Sequence, residues 1–142
     1  MKMAIVEAVV ILAAASVAFA GDLAEDSYQR AEAAVCEASA AVYGLDPRPW
    51  APIYEQFRRA AVSTLESAED CLSDAAASLV ESRKWFAEYE RYTAAGDFLR
   101  ASGAAQRYQS AWFRSIEQSR EAQMRALGVQ ECVRSAWAAI GK

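Results

Sequence analysis

All three prolines of this chain fall within six residues, as Pro47, Pro49 and Pro52, and the sequence on either side consists largely of helix formers. Proline removes a backbone donor and clashes with the preceding turn. Helices therefore stop at that interval but can run long on both sides of it. Alanine supplies nearly a quarter of the 142 residues, Glu, Arg, Gln and Leu are plentiful, and Asn and His are absent. Such residues lose little on entering a helix. The expectation is an all-α fold, a small helical bundle built on a long antiparallel helical hairpin.

Apolar spacing by threes and fours predicts four helical segments. The first covers about 22–43, with Tyr28, Ala31, Val35, Ala38 and Val42 on one face and Gly44 as a left-handed terminator. A second should run from Pro49 or Trp50 to about Ala95, with Ile53, Phe57, Ala61, Leu65, Ala68, Leu72, Ala75, Leu79, Phe86 and Tyr89 inward. Gly96 breaks it, and Asp97 can cap a third. The third should carry Leu99, Ala105, Tyr108, Trp112, Ile116, Gln123 and Leu127 inward, with Gly128 ending it before a short last helix.

The first twenty residues read as an export leader. Lys2 is followed by an apolar run from Ala8 to Ala20, and Ala18-Phe19-Ala20 offers a small-x-small cleavage site before Gly21. That run of thirteen residues falls short of the ~20 needed to cross a bilayer as a helix. The expected organisation is a signal peptide over 1–20 and a single helical domain over 21–142, located outside the cytoplasm as a secreted or periplasmic protein. Glu7 supports an alternative. Cut before Met3, the chain would place a glutamate fifth, which resembles the start of type IV pilin-like subunits, although no glycine precedes that cut. A retained segment would make the chain a membrane-anchored or pilin-like subunit.

The absence of histidine removes the commonest general base and the commonest transition-metal ligand. Three scattered cysteines make no zinc or haem motif. No cofactor and no metal are expected, and the chain reads as a non-enzyme. Net charge is −4, distributed unevenly: residues 21–90 carry −8 and residues 91–142 carry +4. Antiparallel helices of opposite charge would account for this split, and a basic C-terminal face for an anionic partner is the alternative. No basic cluster is tight enough for nucleic acid.

Exported proteins form disulfides. With the chain reversing at Gly128, Cys132 would return to the level of Cys71. A Cys71–Cys132 bridge is therefore expected, with Cys36 left free or joining two copies as a homodimer.

Three groups of side chains are candidates for function. Trp85, Tyr92, Phe98 and Phe113 belong to an aromatic cluster near Gly96 and sit on different helical faces, so some should line a binding surface. Arg100, Arg107 and Arg114 recur every seven residues, as a solvated stripe or an anionic contact that includes lipid. Glu66, Asp70 and Asp74 recur every four, and Arg120 and Arg125 are the expected compensation. A hydrolase built on Glu66 and Asp70 ranks last, because acids on one helix do not enclose a cleft. The function expected is an exported non-catalytic protein that binds a macromolecular partner or assembles with itself. The alternative is an extracytoplasmic inhibitor or small apolar-ligand carrier using the aromatic end.

Overall fold

The computed structural model describes the backbone from residue 2 to residue 142 and side chains from Leu23 onward. Three helices account for it: α1 (Lys2–Tyr43), α2 (Pro52–Ala94) and α3 (Phe98–Ala139). They pack as a three-helix bundle, with no strand among the described residues. The expected leader, residues 1–20, lies outside the described side chains.

The ends of the helices follow from local chemistry. Pro52 sits in the first turn of α2, where its missing N–H has no intrahelical acceptor to lose. At the other end Gly96 has φ 73°, its N–H donates to Thr93 O, and the Asp97 N–H donates to Tyr92 O. This is the paired closure that only a residue tolerant of the left-handed region makes cheaply. Asp97 then caps α3 by accepting from the Arg100 N–H at 3.2 Å. Gly44 behaves differently from expectation, since its φ is not positive. The turn after α1 is instead held by the Leu45 N–H on Val42 O and by burial of Leu45.

Gly128 does not end a helix. α3 continues through it to Ala139, because Val129, Val133 and Ala136 are buried in the main core. Burial of two valines outweighs the roughly 1 kcal/mol a mid-helix glycine costs. The short fourth helix is therefore absent, and with it the reversal that would have carried Cys132 back to Cys71.

Cross-helix contacts give the register. Gln118 reaches Ser78 Oγ at 2.7 Å, Arg114 pairs with Glu81, Arg125 bonds Ser67, and Gly128 faces Thr64. α2 and α3 are thus antiparallel. α1 runs parallel to α3, with Ala24 packed on Leu79 and Ile116 at one level and residues 31–45 in the main core beside α3 residues 122–136.

Each helix buries a seven-residue repeat of mostly small side chains. Ala24, Ala31 and Ala38 serve α1, Ala61, Ala68 and Ala75 serve α2, and Ala101, Tyr108, Ser115, Ala122, Val129 and Ala136 serve α3. Such a period keeps one seam facing its neighbours, as in coiled coils. It also corrects several expected core positions. Leu99 is 86% exposed, Ile53 63% and Leu127 61%, while Tyr54, one residue from Ile53, is fully buried.

The cysteine expectations are overturned by the same register. All three thiols are free. Cys132 lies near the level of residue 60 on α2, about 16 Å along the axis from Cys71, and both pack against the core. Cys36 is exposed and unbonded, and the homodimer expected through it is withdrawn together with the bridge.

Candidate functional site

The aromatic cluster divides between two surroundings. Phe86 turns inward, with its ring centroid 5.8 Å from that of Tyr108 and 6.4 Å from that of Tyr89. Trp85 and Tyr92, seven residues apart and half-buried, line the outer groove between α2 and α3. Opposite them stand Arg100 and Arg107, also seven apart, so the two antiparallel seams present two matched rungs. Gly103 and Ala104 form the floor of a niche of about 260 Å³. A methyl group built on Gly103 would meet nothing within 4 Å, so the niche is open where a side chain would otherwise stand.

The cations lie on the rings rather than beside them. The Arg107 guanidinium is 4.5 Å from the Trp85 ring centroid, and the Lys84 ammonium is 5.5 Å from the same ring. Arg91 and Arg100 approach Tyr92 at 4.9 and 5.9 Å. Contacts of this kind contribute ~0.5–1 kcal/mol at exposed sites and hold the cation's direction. Glu88 hydrogen-bonds Arg91 and raises its pKa above the usual guanidinium value. Among the described residues, Lys84 and Arg107 have no carboxylate within ion-pair distance, whereas Arg114 pairs with Glu81 at 3.1 Å. The groove continues past Arg107 along Gln106, Ser110, Arg114 and Glu81.

The four aromatic residues singled out from the sequence do not converge. Trp85 and Tyr92 share the niche. Phe98, 46% exposed, stands at the start of α3, and Phe113, 58% exposed, packs beside Trp112 at 6.1 Å. The arginine stripe is what completes the niche, and its seven-residue spacing was the signal for it. What the sequence did not show is that Arg107 would meet Trp85, which depends on the antiparallel register.

Neither a family model, nor a curated protein, nor a solved structure matches this chain. Among the described residues, no group of three or more Cys, Asp or Glu side chains is placed to hold a metal ion, and no helix is long and apolar enough to cross a membrane.

The acidic ladder is compensated less than expected. Arg125 reaches α2 at Ser67 and pairs with Glu121, while Arg120 forms no ion pair among the described residues. Glu66, Asp70 and Asp74 remain exposed with no cation within ion-pair distance among the described residues.

A second cluster, at the opposite end, is structural. The buried Glu55 carboxylate accepts from the Arg48 N–H at 2.6 Å and from two nitrogens of Arg58 at 3.0 Å. The Arg58 hydrogen bonds, followed by that from Arg48, hold the Glu55 pKa below its usual range. The Arg48 guanidinium lies over Tyr54 and Trp137 at 5.4 and 5.8 Å, which fastens the proline segment to α2 and to the end of α3. The Glu55 carboxylate is satisfied internally by the Arg48 N–H and Arg58.

Proposed function

We propose that this chain is an exported, non-catalytic helical protein that binds a macromolecular partner along the α2/α3 groove. The observation that carries this reading is the niche of Trp85, Tyr92, Arg100 and Arg107. There Arg107, with no carboxylate in ion-pair distance among the described residues, is held on the Trp85 face, and Arg100, ion-paired with Asp97, lies over Tyr92 beside an open floor. Aromatic residues and arginine are the types that dominate binding energy at protein interfaces. Cationic walls suit a carboxylate-bearing macromolecule better than an apolar small molecule, which favours partner binding over the carrier reading. Export is supported by the leader pattern ending at Ala20.

Two measurements test the two halves. N-terminal sequencing of protein recovered from the extracytoplasmic fraction should begin at Gly21, and recovery with Met1 in place would sink the export reading. A photo-crosslinking residue placed at Gly103 or Ser110 should capture a discrete protein adduct there, while one at the exposed Ala33 on α1 should not. Absence of an adduct from both groove positions would rule out the groove as a binding surface.

A further inference from the structure

The same face of α2 that carries Lys84 and Trp85 carries the acidic ladder. Glu66 and Lys84 are eighteen residues apart, which is five turns, so they stand in line on the helix. Asp70, Asp74, Ala77 and Glu81 fall within about 80° of that line at 100° per residue. On α3 the same groove reads Arg100, Arg107, Ser110 and Arg114 and then Glu121 and Arg125. One end of the groove is therefore basic and the other acidic. Lys84 and Arg107 at one end, and Glu66, Asp70 and Asp74 at the other, lack ion-pair partners within the described chain.

The groove also faces away from α1. Arg83 reaches α1 through its ion pair with Glu25, and Trp85 projects about 200° around α2 from Arg83. The first helix leaves this surface open.

A surface that is basic at one end and acidic at the other complements itself when turned end for end. We infer that a second copy of this chain docks on the α2/α3 groove in antiparallel orientation, forming a non-covalent two-fold dimer. Resting on the reading of this groove as a binding surface, the inference names its occupant. The two-fold axis passes beside Ala77, midway between Asp70 and Lys84, so that Lys84 of each copy meets Asp70 of the other. In a two-fold interface every such contact occurs twice. On α2 beside the axis Ser73 and Ala77 are small and exposed, which lets the helices approach. Glu81, four residues from the axis, is already neutralised by Arg114. The pairing involves none of the cysteines.

Sedimentation velocity of the purified chain tests this without an unknown ligand. A dimer is expected at low salt, dissociating to monomer in about 1 M salt, where charge interactions are screened within ~3 Å. Lys84→Glu and Asp70→Lys each convert two attractive contacts into two repulsive ones, and each should weaken self-association at least about tenfold. Mixed in equal amounts, the two variants restore both contacts and should dimerise again. Both positions are exposed, and thermal melting confirms that the variants fold. A chain that stays monomeric at low salt, a dimer indifferent to both substitutions, or open-ended polymers would each overturn the two-fold pairing. The crosslinking experiment separates this failure from that of the groove itself: an adduct of twice the chain mass supports self-pairing, and an adduct with a different protein refutes it while retaining the groove as the binding surface.

Discussion

Tyr54, buried without solvent exposure, donates its phenolic hydrogen to the Asp46 carbonyl oxygen at 2.9 Å, and this bond joins the proline segment to the second helix. Its ring meets Trp137 edge-on at 6.3 Å, so one side chain links the α1–α2 connection to the far end of α3. Tyr54→Phe keeps the ring and leaves a carbonyl without its donor, which should lower stability by about 1 kcal/mol. Tyr54→Ala removes the packing as well and should cost ~3–5 kcal/mol. Chemical denaturation of the two variants measures both. Equal losses would mean that the hydrogen bond, not the ring, holds this end.

Two glycines should respond to alanine with opposite signs. At Gly128 the new methyl group would lie 3.6 Å from Thr64 Cγ2, an ordinary contact, and the backbone is helical. Gly128→Ala should stabilise the protein by roughly 0.5–1 kcal/mol through helix propensity. Gly96 has φ 73° in a closure that requires it, so Gly96→Ala should destabilise by about 1 kcal/mol despite open space around it. Thermal unfolding of both variants checks the pair, and a shared sign would contradict the backbone argument.

How far the sequence disclosed this fold depends on which side chains did the burying. Helix ends were legible, because Pro52, Gly96 and Asp97 act through local backbone chemistry. Helix faces were less so. Leu99, Leu127 and Ile53 drew the eye as core, yet alanine and serine repeats form the seam, and alanine contrasts too little with its surroundings to mark a face. The continuation of α3 through Gly128 has a tertiary cause: Val129 and Val133 find a core only once α1 and α2 are in place. The cysteines stay apart for the same reason, since a bridge needs a reversal at Gly128. For the candidate site, the arginine period was visible, but its meeting with Trp85 required the register of two separate helices.

The serine seam contains hydroxyls with no partner. Ser115 and Ser119 are fully buried on α3, and neither Oγ makes a hydrogen bond among the described residues. A buried hydroxyl left unsatisfied costs ~1–3 kcal/mol. Alanine removes that penalty and favours the helix. Ser119→Ala should therefore raise stability by about 1 kcal/mol or more, seen as a higher denaturation midpoint with an unchanged slope. A lower midpoint would show that the hydroxyl is satisfied in solution, as by a buried water.

Acid sensitivity should centre on Glu55. Its pKa is lowered in the folded chain, first by the Arg58 hydrogen bonds and then by the Arg48 N–H. A carboxylate with a depressed folded pKa contributes stability that is present above its unfolded value, about 4.3. That contribution is lost as pH falls through the folded value. The melting temperature should therefore drop in acid below about pH 4, and Glu55→Gln should be less stable at neutral pH with a shallower acid limb. Melting curves across a pH series decide this. Parallel acid limbs for the two proteins would move the sensitivity to other carboxylates.

The aromatic residues at the α2/α3 end should separate into structural and contact classes. Tyr108 is buried in the seam beside Phe86, so Tyr108→Ala should cost ~3–5 kcal/mol of stability. Phe113 is 58% exposed and should cost less than about 1 kcal/mol when truncated. Trp85 lies between these. Its replacement by alanine removes two cation–aromatic contacts of ~0.5–1 kcal/mol each, and it also releases Lys84 and Arg107 from their fixed directions. Trp85→Ala should therefore remain folded, melt slightly earlier, and lose more than ~1 kcal/mol of binding free energy at the groove. Arg107→Ala should reproduce the binding loss with an even smaller change in melting. Thermal unfolding read alongside groove crosslinking yield distinguishes the classes. If Trp85→Ala unfolds the domain as Tyr108→Ala does, the ring belongs to the core and the niche is not a site.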